Sequence, residues 1–558
     1  MLISHVTALV LALVCAVNAS EIAPKKPIKM DFSVLRGNSR SSATKGARPR
    51  LVKKDGLTEL ILDNEQTYYA ATLKIGSQGA ENTVIVDTGS SDLWIMSSDV
   101  SCSYSRSYYR KSMEFGEFHK NPELSRRRLL DFEVPTLASE AEKKEKRADV
   151  TTIPGALKTA YGSSAVNARS SYGGTCTSEG SFNTAELDSF NLNSTAPDFL
   201  IHYADETYAS GVWGHDYVDF GSSNVSDCSF AVANDTSLHI GVFGIGLAEL
   251  EMTYSSNSST TTPYTYENFP VRLKSTGQIN KVMYSLYLNS ADAQSGSVLF
   301  GAVDHAKYSG QLQTVPVVNR YSEYYDNPLR FDIVLDLITL ENSSQNVTVL
   351  TLHIPALLDS GTTLTYLPTD FLYSLVSLLG GWYSFLGYYR VSCSYNTTTA
   401  HAVFNFSGAK IRVPMADLIL SLQSLCYLGV VGLFFSNSSS SPYAILGDNF
   451  LRSAYVVYDL EDYEISLAQA EFSDTEDIEV VLSSVPLAVR ASGYSSTAVA
   501  SSIDSDFTTS RFLPPAYTSA RSSSLSSSRP KSSEGTSAIH FARSLLFTLL
   551  GACVLFLI

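Results

Sequence analysis

Long helical periodicity is scarce in this 558-residue chain, and charged residues are few, at 17%. The first shortage argues against a helix bundle, because apolar residues seldom recur at three- and four-residue spacing. The best helical stretch, FLYSLVSLLGGWY from Phe371 to Tyr383, is interrupted by Gly380-Gly381. Basic residues are also outnumbered. A net charge of −15 leaves no basic stripe for a phosphate backbone, which excludes nucleic acid as a partner. It suits cationic substrates, and it also serves solubility. Neither end carries an apolar run of the ~20 residues that a membrane span needs. What is plentiful is Tyr (32) and Phe (26), a bias that favours strands. An apolar content of 44% supplies a large core, and the length suggests about three to four units.

The two ends read as processing signals. Val6 to Val17 is an apolar run too short to cross a membrane, and Val17-Asn18-Ala19 offers a cut after Ala19, so residues 1–19 are expected to be a secretory signal. SLLFTLLGACVLFLI, Ser544 to Ile558, stops at the C-terminus with no basic cluster behind it. Small residues and a short spacer precede it. This is the layout of a glycolipid-anchor signal over 536–558 with attachment at Gly535, or next at Ser533. A short single-span tail is the plainer reading. Nine Asn-x-Ser/Thr sequons lie between the ends, at Asn193, Asn224, Asn234, Asn257, Asn342, Asn346, Asn396, Asn405 and Asn437. A secreted route makes them acceptors. With Cys15 and Cys553 in segments expected to be removed, five cysteines remain: Cys102, Cys176, Cys228, Cys393 and Cys426. An oxidising compartment allows two disulfides and one leftover thiol.

Residues 20–54 are basic and weakly patterned, and end in Lys53-Lys54. They read as a propeptide cut at Lys54. Short strands bounded by Gly or Asn follow from Leu57. Residues 103–175 form a charged insertion without strand signal, and residues 476–535 turn Ser-rich, a composition that cannot bury a core and reads as an extended O-glycosylated stalk.

Two triplets carry chemistry. Asp87-Thr88-Gly89 follows Val84-Ile85-Val86, and Asp359-Ser360-Gly361 follows Ala356-Leu357-Leu358 in the other half of the chain. Each is followed by a further hydroxyl, Ser90 or Thr362. Each half then contains an apolar-apolar-Gly, Val242-Phe243-Gly244 or Ile445-Leu446-Gly447. One triplet settles nothing, but two halves with the same elements in the same order imply an internal duplication folded as two lobes.

Over roughly residues 65–475 this pattern resembles the pepsin-like aspartic proteases, with Asp92-Leu93-Trp94 and SLYLNSADAQSGSVLFGAVD as further points of likeness. The resemblance implies an all-β dominated, bilobal fold with a central active-site cleft. It places an N-terminal lobe at 55–288, a C-terminal lobe at 289–475, and Asp87 and Asp359 as a catalytic pair needing no cofactor and no metal. Two carboxylates that close cannot both ionise, so they share one proton over an acidic window, and the titration belongs to the pair. Gly89 and Gly361 allow the tight loops and bring N–H groups to the carboxylates. Thr88 and Ser360 resemble the residues that tie the loops together, and Ser90 and Thr362 the outer hydroxyls that orient each Asp. Cys393 and Cys426 are spaced like the family's C-terminal-lobe disulfide. Cys102–Cys176 would be the first-lobe disulfide, with the charged insertion 103–175 as its enlarged loop.

The family closes its cleft with a hairpin carrying a Tyr, here Tyr203 in IHYADETYASG. Ala204 departs from the usual Gly. Asp205 and Glu206 are candidate partners for a basic substrate side chain, with Glu206 equally able to face solvent. The insertion carries Arg126-Arg127-Arg128, Lys143-Lys144 and Lys146-Arg147. A cut after Arg147 would leave two disulfide-linked chains of an otherwise monomeric enzyme, or the loop is simply solvated. Insertion, acidic hairpin, Ser-rich stalk and anchor signal together resemble the yapsins, fungal cell-surface proteases. That resemblance implies cleavage after mono- or dibasic sites in secretory and cell-wall proteins, at the membrane or the wall. Two rivals stand beside it: a broad secreted protease preferring hydrophobic residues, and a wall-binding protein on a spent protease scaffold.

Overall fold

The computed structural model describes residues 27–36, 44–45, 52–54, 57–59, 68–102, 176–494 (except 186–188, 204–206, 221–222, 256–261, 323, 385–387, 423 and 434–441) and 511–514. Strands dominate, and the arrangement that positions the site occurs twice. In the first lobe the strand Ala80–Asp87 runs parallel to Gly241–Gly244, with Val84 opposite Gly241 and Asp87 opposite Gly244. Gly241–Gly244 is antiparallel to Leu93–Cys102, which is parallel to Ser223–Thr236. In the second lobe Asn346–Leu358 runs parallel to Ala444–Leu446, which meets Thr365–Pro368 antiparallel. Thr365–Pro368 is in turn parallel to Val430–Leu433. Same order, same directions: each apolar-apolar-Gly is the strand inserted beside its own Asp strand.

The segments that lead into each acid, residues 84–86 and 356–358, are buried on both faces, which is why they read as apolar runs rather than alternations. Val84, Val86, Leu358 and Leu446 are fully buried. Strands from both lobes share the large sheet, where Met283–Tyr287 lies between Ser295–Phe300 and Ala454–Asp459. Aromatic rings fill the space beneath it, with Tyr284 stacked on Tyr458 at 4.9 Å.

Three elements differ from the sequence reading. Ile28–Arg36, inside the supposed weakly patterned propeptide, is a strand between Ser295–Phe300 and Tyr68–Ile75. Its Ile28, Met30, Phe32 and Val34 all point into the core. The period-two alternation was present in IKMDFSVLR, but the basic flanks disguised it. Next, the helix covers Thr369–Leu378 and ends where Gly380 adopts φ +62, while Trp382–Tyr383 belongs to a strand. Finally, the folded part does not stop at 475. Ile478–Val480 pairs with Ala302–Asp304, Val489–Arg490 pairs with Tyr308–Pro316, and Val481 and Phe512 are completely buried. Single large apolar side chains buried in this way stabilise by roughly 1.5–3 kcal/mol each, which a Ser-rich average conceals.

Cys102 is bonded to Cys176 and Cys393 to Cys426. Cys228 is a buried free thiol.

Candidate active site

Asp87 ends its strand, and Asp359 follows immediately after its own. The two turns face each other and are cross-tied by four hydrogen bonds. Thr88 Oγ1 donates to the Leu358 carbonyl at 2.9 Å and accepts from the Ser360 N–H at 3.0 Å. Ser360 Oγ donates to the Val86 carbonyl at 2.9 Å and accepts from the Thr88 N–H at 3.1 Å. A hydroxyl is needed at both places because each side chain must donate and accept at once. All four groups are buried, so losing one partner would strand another.

The carboxylates are held with the same symmetry. Asp87 Oδ1 accepts from the Gly89 N–H at 2.7 Å and Oδ2 from Ser90 Oγ at 2.6 Å. Asp359 Oδ1 accepts from the Gly361 N–H at 2.9 Å and Oδ2 from Thr362 Oγ1 at 2.6 Å. The glycines have a second reason beyond the turn. A Cβ on Gly89 would lie 2.6 Å from Asp359 Oδ1, and one on Gly361 would lie 2.5 Å from Asp87 Oδ1. Each bare Cα faces the opposite acid.

Both acids are nearly buried, 7% and 9% exposed. Burial first, and then the charge of Asp87, pushes the Asp359 carboxyl up to about 7, while Thr362 and the Gly361 N–H act in the opposite sense. The pair therefore retains one proton well above the pH at which an isolated carboxylic acid has lost it.

Three further acids, none of them put forward from the sequence as a site residue, are buried in the fold. Asp448, directly after Ile445-Leu446-Gly447, is buried, with its N–H donating to the Thr362 carbonyl at 2.8 Å. Burial holds its carboxyl well above the usual range. Asp92 accepts from Tyr266 Oη at 2.8 Å and from the Met252 N–H at 3.0 Å. Glu251 accepts from the Tyr266 N–H at 2.7 Å. Burial pushes Asp92 up to about 7 and Glu251 up to about 10. Of the three, only the DLW triplet containing Asp92 gave a signal in the sequence.

The hairpin Phe199–His202 with Tyr208–Phe220 carries Tyr203, whose N–H donates to the Thr207 carbonyl at 2.9 Å. The fully buried Trp94 donates from Nε1 to Tyr203 Oη at 2.7 Å, which links the DLW segment to the hairpin. Ala204, Asp205 and Glu206 lie outside the described residues, as do Arg147, Asn257, Asn437 and Gly535. Lys54 ends the short strand Val52–Lys54, paired with Leu57–Glu59. Among the sequons Asn224, Asn234, Asn346 and Asn396 are exposed, whereas Asn193, Asn342 and Asn405 are half-buried.

A model of the family described as eukaryotic aspartyl protease matches residues 68–121 and 157–470. Secreted aspartic protease 9 of Candida albicans is 42% identical over 492 residues, covering 83% of this chain and 88% of its own. Aspartic proteinase 3 of Saccharomyces cerevisiae is 41% identical over 491 residues, 85% and 82% of the two chains. The aspartic proteinase yapsin-3 of the same yeast is 35% identical over 478 residues, 85% and 78%. In fold, the chain resembles the crystal structure of an aspartic proteinase from Irpex lacteus with a TM-score of 0.50 and 17% identity, covering 80% of this chain and 99% of that one. The family model spans well over half of the sequence, and these relatives match it at 35–42% identity over more than four fifths of its length. The chain belongs to the eukaryotic aspartyl protease family and is an aspartic endopeptidase.

Proposed function

We propose that Asp87 and Asp359 are the catalytic pair of a secreted, cell-surface enzyme that cleaves peptide bonds after mono- or dibasic residues. The observation that carries the catalytic assignment is the mutual enclosure of the two acids, each facing the other's bare glycine and each held by one N–H and one hydroxyl. One acid is charged and its partner keeps the shared proton. The charged member takes a proton from a water molecule between them, and the water oxygen attacks the peptide carbonyl carbon. The protonated member gives its proton to the carbonyl oxygen, forming a neutral tetrahedral diol. Collapse of the diol returns a proton to the departing nitrogen, the C–N bond breaks, and the pair is restored to its starting charge. Because the pair ends with the same single proton, no outside acid is consumed.

The basic-site preference is supported by Asp205 and Glu206 beyond Tyr203 and by the resemblance to the yapsins, a name that one relative carries. The cell-surface reading is supported by residues 1–19 and 536–558, and by the name of the Candida albicans relative, a secreted protease. Residues 20–54 are the propeptide, released by a cut at Lys54, and Arg147 is the processing site of the insertion.

The test follows cleavage of two matched peptides, one centred on Lys-Arg and one on Leu-Phe, across an acidic pH series. Cleavage after the basic pair, lost in Asp359→Asn and weakened about tenfold when Asp205 and Glu206 are both made amides, is the expected result. Preference for Leu-Phe would leave the catalytic pair standing and overturn the specificity. Undiminished activity in Asp359→Asn would overturn the pair itself.

A further inference from the structure

Most of the Ser-rich tail lies outside the described residues, but Arg511–Pro514 is packed on the second lobe. The packing is specific. Phe512 is completely buried and its ring lies nearly parallel to that of Tyr395, 6.2 Å between centroids and 19° between planes. Consecutive backbone groups are all partnered. The Arg511 carbonyl accepts from Gln345 Nε2 at 3.3 Å. The Phe512 N–H donates to the Leu378 carbonyl at 3.1 Å, and its carbonyl accepts from Tyr395 Oη at 2.5 Å. The Leu513 N–H donates to Gln345 Oε1 at 2.8 Å, and its carbonyl accepts from Asn342 Nδ2 at 3.0 Å. A short piece of a Ser-rich tail thus forms a sequence-specific clamp.

One partner in the clamp has a second chemistry. Asn342 opens the sequon Asn342-Ser343-Ser344. Its side-chain oxygen accepts from the Ser344 N–H at 2.9 Å, from Ser344 Oγ at 3.0 Å and from the Gln345 N–H at 2.9 Å. Those three bonds fix the plane of the amide and leave Nδ2 aimed at the clamp. The atom that would carry a glycan is the atom that holds Leu513.

We propose that Asn342 is a two-way site, at which attachment of an N-linked glycan and docking of the Arg511–Pro514 clamp exclude each other. On the secretory route the glycan donor is an oligosaccharide linked to a lipid pyrophosphate. Its anomeric carbon bonds to Nδ2, the lipid pyrophosphate leaves, and one amide proton is released. Nδ2 keeps one N–H, so the exclusion rests on the bulk of the sugar ring, bonded to the atom that lies 3.0 Å from the Leu513 carbonyl oxygen. Order of synthesis decides the contest, because Asn342 is made well before Phe512 and N-terminal segments emerge first. A glycan placed at Asn342 leaves the clamp undocked, and a bare Asn342 lets it close. The clamp itself depends neither on the lipid-anchor reading nor on the assignment of the catalytic pair.

The test uses the full chain from a glycosylating host and reads hydrogen exchange at the Phe512 and Leu513 amides. Ser344→Ala abolishes the sequon while leaving the Asn342 amide in place. Ser344→Thr keeps the sequon and strengthens it. Phe512→Asp breaks the clamp directly and marks the undocked rate. Ser344→Ala should exchange about tenfold more slowly than Phe512→Asp, and molecules of Ser344→Thr carrying sugar at Asn342 should exchange as fast as Phe512→Asp. Slow exchange in the sugar-bearing molecules overturns the exclusion. Equal rates in Ser344→Ala and Phe512→Asp overturn the clamp, and a site vacant even in Ser344→Thr overturns the two-way role. Occupancy, read by mass, separates these failures from any failure of the secretory reading, in which no sequon at all would be modified.

Discussion

Replacing Gly89 by Ala places one methyl against the opposite acid, whose atoms are its three nearest neighbours. Neither Gly89 nor Gly361 has positive φ, so alanine adopts the same backbone without strain. The methyl would lie 2.6 Å from Asp359 Oδ1, 2.7 Å from its Cγ and 2.9 Å from Oδ2. Ordinary contact begins at 3.4 Å, so the carboxylate must retreat by at least 0.8 Å (3.4 − 2.6). It has nowhere easy to go, being pinned by the Gly361 N–H and Thr362 Oγ1. Displacing a reacting group by about 1 Å costs about a hundredfold in rate, or about 2.7 kcal/mol of transition-state stabilisation. Stability should fall by only about 1–3 kcal/mol, the usual cost of overpacking, because the Thr88–Ser360 ties are untouched. Steady-state kinetics on one peptide, with thermal unfolding beside them, should show kcat reduced about a hundredfold with KM nearly unchanged. Gly361→Ala should repeat the result, since its methyl meets Asp87 at 2.5 Å. A folded variant of either kind retaining kcat within about threefold of the parent would refute the reasoning.

The tie between the turns predicts that Thr88→Val, similar in shape but without a hydroxyl, loses about 2–5 kcal/mol by stranding the Leu358 carbonyl and the Ser360 N–H. Denaturant unfolding measures it, and Ser90→Ala, which leaves those groups paired, should cost less. Buried Asp92 and Glu251 contribute to the response to pH, alongside Asp359 and Asp448, whose carboxyls burial also raises. The Asp92 and Glu251 carboxyls are raised to about 7 and about 10, so between about pH 4 and those values the folded chain holds protons that the unfolded chain has released. Stability therefore falls as pH rises from about 4 towards 7, and Asp92→Asn should shrink the difference between melting temperatures taken at the two ends of that window; an unchanged difference would discard the assignment. A chain stopped at 475 loses Val481, Ala491 and Phe512 from the core, and should melt several degrees below one stopped at 515.

The parts of this enzyme that could be read from sequence are those whose chemistry is written in adjacent residues. Asp-Thr-Gly-Ser and Asp-Ser-Gly-Thr each contain the acid, its N–H donor, its outer hydroxyl and the tie to the other lobe within one short turn. Finding two copies therefore disclosed the contacts along with the residues. The interruption of the helix at Gly380 was legible for a similar reason, because a glycine with φ +62 is a local device, although the candidate stretch ran on into the strand Trp382–Tyr383. What was not legible depends on distance or on averaging. Glu251 is an acid like any other until Tyr266, further along the chain, and Asp92, far back beside the first triplet, enclose it; no window of sequence contains that enclosure. The Ile28–Arg36 strand and the Phe512 clamp were hidden by composition. In each case a few apolar residues are embedded in a segment whose average is basic or Ser-rich, and burial is decided residue by residue while composition is averaged over dozens. Phe512, one of two phenylalanines in the Ser-rich stretch 476–535, is completely buried, which a mere leash would not require. Seen that way, the odd residue in a biased segment is the better predictor, as Phe512 is of the packing of Arg511–Pro514 on the second lobe.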